Sequence, residues 1–271
     1  MTCLIGHSRS GEAISVAKFV VSELSSKIPN FPLYDLNTIR SFLNITSLVA
    51  IAPTDGWYLP GGSPILLRDV NYLTLQGTHD IDQANTFQGL RQYHGISFSR
   101  SNPFYLKMAV NIYRANHGQW NTVWGKADIG PSAKWFLDQD ILLTGEDQRR
   151  IAKSLISSFL NVTFEEEDRK FDGYLSVLQD MRTASSWLPS TNFKSIYSDS
   201  YTKYLATFDS TQGDLYRCAV PPLATRITCK ARCWKNWEQK IQHSLFQQQP
   251  NIVLYLEGAT LNSSCALSSS L

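Results

Sequence analysis

Short apolar runs, each stopped by a glycine or a turn, constrain this chain more than any other feature. Leu48–Ala52 runs without a polar residue into Pro53-Thr54-Asp55-Gly56. Tyr72–Leu75 ends at Gly77, and Leu106–Tyr113 leads into Asn116-His117-Gly118. A continuous apolar run of this length suits a strand buried on both faces, as in a parallel sheet. Thr2–Ile5 ends at Gly6 in the same way. From Glu12 to Leu24, the residues Ala13, Val16, Ala17, Val20, Val21 and Leu24 then recur at helical spacing. Strands alternating with helical stretches predict an α/β fold, a parallel sheet with helices on its faces.

Further along, Thr144-Gly145-Glu146-Asp147 has the form of a helix start: a threonine cap with an acid three residues on. Ile151, Leu155 and Phe159, with Ala152, Ile156 and Leu160, make one apolar stripe, so a helix ending near Val162 is expected to cover the sheet. The character changes after Glu165-Glu166-Glu167-Asp168. One more short helix is expected at Tyr174–Met181, and strands at Tyr204–Phe208 and Asn251–Glu257. This divides the chain into a first domain, residues 1–165, and a smaller, mostly β module, residues 171–271.

Composition bears on function mainly by exclusion. A hydrophobic fraction of 43% and a charged fraction of 18% allow a substantial core. A net charge of +2 from 25 basic and 23 acidic residues makes no electrostatic case for nucleic acid. No apolar run reaches the length of a membrane span, and Met1-Thr2-Cys3-Leu4-Ile5 is not a signal peptide. Cys3, Cys218, Cys229, Cys233 and Cys265 are an odd number, which argues against a full disulfide framework. No histidine pair follows Cys229 and Cys233 at zinc-finger spacing, so no metal is expected. The triplets beginning at Asn44, Asn161 and Asn262 fit the glycosylation pattern, which matters only in a secreted chain. Compartment and oligomeric state are left open.

The strongest local motif is Gly6-His7-Ser8-Arg9-Ser10-Gly11, directly after an apolar run and before a helix. A nucleophile elbow needs that strand–turn–helix context, because it puts the serine on a sharp turn with its Oγ exposed. Ser10 stands where a glycine is usual, and some strain is expected there. The amide of Arg9, at the helix start, is the expected oxyanion donor. Asp80 follows the run at Tyr72–Leu75, and His117 follows the run at Leu106–Tyr113. The order Ser8, Asp80, His117 is nucleophile, acid, base. Asp82, two residues from Asp80, is the alternative acid; Asp55 is a weaker one that more simply stabilises its own turn. His7 reads as packing, and His79, His94 and His243 lack a partner pattern. Trp57, Tyr58 and Trp120 could wall an acyl pocket, although core packing is the plainer reading for these and for Trp124.

These segments resemble a known group. Gly-His-Ser-Arg with Gly-Glu-Ala resembles the elbow of chlorophyllase-like and dienelactone-hydrolase-like α/β-hydrolases. Leu75–Asp80 and Tyr113–Asn121 resemble the acid and histidine segments of large bacterial-type α/β-hydrolases that carry a β-rich C-terminal region. The resemblance covers roughly residues 1–165. It implies a serine hydrolase that cleaves carboxylic esters through an acyl-enzyme, with no metal or organic cofactor. In that family several strands precede the elbow, and one of them supplies a second oxyanion N–H. The resemblance therefore implies an N-terminally truncated hydrolase domain, partial in its sheet. Losing one oxyanion donor typically costs about 10²–10³ in rate, so this chain alone is expected to be impaired. Two other readings follow from the same residues. One is a non-catalytic hydrolase-like binding protein. The other is a β-rich tail in which Trp234, Trp237 and Tyr255 stack on carbohydrate.

Overall fold

The apolar runs become strands because few polar side chains interrupt them, and pairing satisfies their backbone groups. The computed structural model describes residues 1–23, 43–59, 64–83, 88–99, 103–126, 138–164, 171–181 and 188–202. In chain order the elements are β1 (Thr2–His7), α1 (Arg9–Glu23), β2 (Ile45–Ile51), β3 (Leu67–Arg68), β4 (Asn71–Gly77), α2 (Gln88–His94), β5 (Ile96–Ser97), β6 (Leu106–Ile112), α3 (Gly145–Phe164), α4 (Phe171–Gln179) and β7 (Phe193–Asp199). A five-stranded sheet runs in the order β1-β2-β4-β6-β7, and β3 pairs with β5 alone. The first four strands of the large sheet are parallel; β7 joins β6 antiparallel.

Register and pleat divide the core in two. Val49 pairs with Leu73, which pairs with Met108, and these side chains share a face with Leu75 and Val110. That face is covered by Ile151, Leu155, Phe159 and Val162 of α3 and by Val177 and Leu178 of α4. The alternate residues Leu48, Ala50, Tyr72 and Ala109 pack instead with Ile14 and Phe19 of α1 and Tyr93 of α2. Successive strand side chains point to opposite faces, so each strand feeds both cores. Every residue of β4, at the centre of the sheet, is buried. Fully burying side chains such as Leu155 and Phe159 contributes about 1.5–3 kcal/mol each.

The start of α3 is capped as the sequence predicts. Thr144 Oγ1 accepts the Asp147 amide at 3.1 Å and donates to Asp147 Oδ2 at 2.8 Å. The division after residue 165 falls elsewhere, because Met1–Tyr201 makes one compact unit. α4 packs on α3's face of the sheet, and β7 completes the edge beside β6. The segment 171–201 thus belongs to the first unit. The rest of the expected β module, including the strands at 204–208 and 251–257 and the aromatic residues 234, 237 and 255, lies outside the described residues. Among the described residues, no helix is long and apolar enough to cross a membrane.

Parallel pairing has one consequence for function. The C-terminal ends of β1, β4 and β6 lie along one edge, where the segments carrying Ser8, Asp80 and His117 leave the sheet.

Candidate functional site

Ser8 is the one residue between β1 and α1, and its φ of 60° lies in the left-handed region that side chains other than glycine rarely adopt. Its amide donates to Ile51 O at 2.9 Å, while its carbonyl accepts from Gly11 at 2.8 Å and Thr54 at 3.3 Å. These bonds fasten the turn to the end of β2. The reversal folds α1 back so tightly that a Cβ on Gly6 would collide with the carbonyl of Ser10. Ser10 itself is helical and exposed, and its φ is not positive. The strain expected at Ser10 sits on Ser8 instead. Arg9 opens α1, so its amide has no acceptor within the helix. Its guanidinium lies 4.7 Å from the centre of the Trp57 ring.

Asp80 and His117 meet in the protein interior. His117 Nδ1 lies 2.9 Å from Asp80 Oδ2, and both side chains are excluded from water. The other carboxylate oxygen, Oδ1, accepts the Gln83 amide at 2.9 Å. Asp82, the alternative acid, stands on the opposite side of the ring: its Oδ2 is 3.3 Å from His117 Nε2. The two carboxylates therefore do not compete for one nitrogen. Asp80 orients Nδ1, and Asp82 faces Nε2.

The end of β1 reaches this pair through His7. Its ring lies 4.7 Å from that of His117, and both rings contact Trp124, at 5.2 and 5.9 Å. Burial, and then the neighbouring His117, push the pKa of His7 down to about 4, so it is neutral near pH 7. The structure thus brings the residue before Ser8 against His117, and among the described residues Nε2 of His117 makes no hydrogen bond to Ser8.

The turn that carries His117 is held from outside. Gln148, fully buried on α3, accepts the Asn116 amide at 3.0 Å and donates to the Asn116 carbonyl at 2.8 Å. Arg149 Nη1 donates to the carbonyls of Gln119 and Asn121, each at 3.1 Å. Beneath the turn, the absent side chain of Gly77 leaves room for the Ala115 carbonyl.

A second clamp fixes the segment after β2. The buried carboxylate of Glu12 accepts the Thr54 hydroxyl at 2.7 Å and the amides of Gly56 and Tyr58 at 2.9 and 2.8 Å. Asp55 serves its own turn: it pairs with Arg91 at 3.1 Å, and its amide donates to Gln88 at 2.7 Å. Burial raises the pKa of Asp55. The clamp holds Trp57 and Tyr58 outward, 64% and 45% exposed. Trp120 takes the plainer of its two readings, core packing, and does not wall a pocket: it is 9% exposed and belongs to the core under α3. The indole beside His117 is that of Trp124.

Sequence reasoning missed Glu12, Gln148 and Arg149. Each lies in a first helical turn or the next, where acids and amides are commonplace. Only the partners, tens of residues away, give them a role. His79 pairs with Thr78 and Tyr113, and burial lowers its pKa. Among the described residues, no three His, Cys, Asp or Glu side chains gather in a way that could hold a metal ion. No protein-family model matches the chain, and no curated protein matches it in sequence.

Proposed function

We propose that the chain carries the acyl-transfer machinery of an α/β-hydrolase-type serine hydrolase acting on carboxylic esters. The observation that carries this reading is the left-handed backbone of Ser8 at a strand–helix turn whose preceding residue touches a buried His–Asp pair. A hydroxyl on such a turn projects away from the backbone that crowds its other side. In the reaction His117 Nε2 takes the Ser8 Oγ proton as Oγ bonds to the ester carbonyl carbon. Asp80, at Nδ1, fixes the tautomer and stabilises the imidazolium. The Arg9 amide and the N-terminus of α1 favour the oxyanion. Collapse breaks the bond to the alkoxy oxygen, which leaves as the alcohol with the His117 proton. Water, deprotonated by His117, then releases the acid and restores Ser8. Trp57, Tyr58 and Trp124 supply the aromatic surface for the ester.

Labelling of the intact protein with a fluorophosphonate, read by mass, tests this. One adduct on wild type, absent from Ser8→Ala and His117→Ala, is expected. A folded wild-type protein that takes no adduct at any pH sinks the reading. It would favour a non-catalytic binding protein, for which the Asp82 carboxylate facing Nε2 is the supporting observation.

A further inference from the structure

We propose that Asp82 is a latch on His117, holding the imidazole as a proton-bearing cation and releasing Nε2 only when the proton leaves. The proposal rests on the hydrolase reading and adds a control to its site. The argument is one of charge and of which ring nitrogen carries a proton. An ionised carboxylate can only accept a hydrogen bond. His117 lies between two carboxylates: Asp80 is hydrogen-bonded to Nδ1 at 2.9 Å, whereas Asp82, 3.3 Å from Nε2, is a charge contact without hydrogen-bond geometry. Both contacts are attractive only when both ring nitrogens carry protons. A ring that takes the Ser8 proton needs Nε2 bare, and a bare Nε2 facing a carboxylate is repelled by it. One nitrogen therefore cannot serve Asp82 and Ser8 together.

The surroundings favour the same switch. Among the described residues, the titratable and charged groups placed around the ring or its turn include Asp80 and Asp82 after β4, His7 at the end of β1, and Arg149 from α3. Arg149 is occupied by the Gln119 and Asn121 carbonyls, and the other three groups touch the ring or face its nitrogens. Asp80 is fully buried and bonded to the Gln83 amide, so it has no freedom to leave. The Asp82 side chain is 35% exposed and, among the described residues, accepts only the Gln83 side-chain amide, on the same oxygen at 3.3 Å. It can swing into water, and it is the one carboxylate of the two that can act as a moving part.

The sign follows directly. Asp82 favours the cationic ring, so it raises the pH at which Nε2 becomes available. Removing its charge moves the acidic limb of reactivity to lower pH. An opposite charge at this distance commonly shifts a partner by one unit or more. The expected result is roughly tenfold faster fluorophosphonate labelling of Asp82→Asn and Asp82→Ala than of wild type, read one pH unit below the wild-type midpoint. At high pH the three rates converge.

A second readout keeps the latch separate from the chemistry. In the Ser8→Ala background, the His117 ring nitrogens are titrated by NMR with and without Asp82→Asn. A midpoint lowered by the substitution, together with the shifted labelling limb, supports the latch. A lowered midpoint with no labelling of any variant leaves the latch standing and removes the hydrolase reading. An unmoved midpoint overturns the latch, as does a uniform loss of labelling at every pH with the limb in place, which is what a merely structural Asp82 would give.

Discussion

The turn at Ser8 and the turn at His117 sit at the same edge of one sheet, yet they are held by different means. Ser8 is shaped by its own neighbourhood: a left-handed residue, a glycine two positions before it, and a helix that starts at the next residue. His117 has an ordinary right-handed backbone, and it is positioned from a distance. Asp80 lies 37 residues before it, and Gln148, which grips the preceding residue, lies 32 residues beyond that residue. The Ser8 turn is a backbone device, and the His117 turn is a side-chain device. The first should fail by collision, the second by loss of hydrogen bonds.

Gly6→Ala gives the largest expected effect. Its methyl group would meet the Ser10 backbone, which cannot swing aside without undoing the first turn of α1. Overpacking against flexible groups costs about 1–3 kcal/mol, and a backbone obstacle belongs at or above the top of that range. Urea unfolding should show a loss of about 3 kcal/mol or more. A loss under about 1 kcal/mol would mean that the elbow relaxes, and the contrast between the two turns would weaken.

Gln148→Leu comes next. It fills a similar volume but abandons the amide and carbonyl of Asn116 in the protein interior. Unsatisfied buried groups cost about 1–3 kcal/mol each, so a loss of about 2–3 kcal/mol is expected. The same variant should slow labelling of Ser8 without altering the elbow, because the His117 turn loses its outer support. A fully stable, fully reactive Gln148→Leu would show that the turn is positioned by Asp80 alone.

This contrast also explains what could be read from the sequence. The strands, the apolar stripe of α3, its Thr144 cap and the Ser8 turn all follow from residues close in sequence, where period and turn chemistry speak directly. Asp80 and His117 were accessible because parallel pairing puts the ends of their strands on one edge. The supports were not. Glu12 looks like an acid placed for the helix dipole, and nothing local says that it binds the amides of Gly56 and Tyr58. Asp82 looked like a rival of Asp80 because only coordinates tell the two faces of an imidazole apart. The segment Phe193–Asp199 reads as part of a polar tail, with most of its side chains at least partly exposed. Its place in the first unit comes from pairing with β6, more than 80 residues away in sequence. Trp120 and Trp124 differ by one helical turn in sequence, and the core took the first.

His7 offers the mildest test and the one that joins the two turns, since it ends β1 and touches His117. Burial holds its pKa near 4, below the ordinary histidine value of 6.5. The unfolded chain therefore binds a proton that the folded chain refuses between those two values. Stability is fully present above pH 6.5 and falls as the pH drops toward 4. His7 is partly open to solvent, so the discounted size is about 1–2 kcal/mol. His7→Phe keeps a ring against His117 and Trp124 but cannot take up the proton. Urea unfolding at pH 7 and pH 5 should show a shallower decline for the variant than for wild type. Equal slopes would place the acid sensitivity elsewhere and leave the two turns to be treated as independent. A shallower slope would instead assign that acid sensitivity to the His7 ring, kept neutral chiefly by its burial between the Ser8 turn, His117 and Trp124.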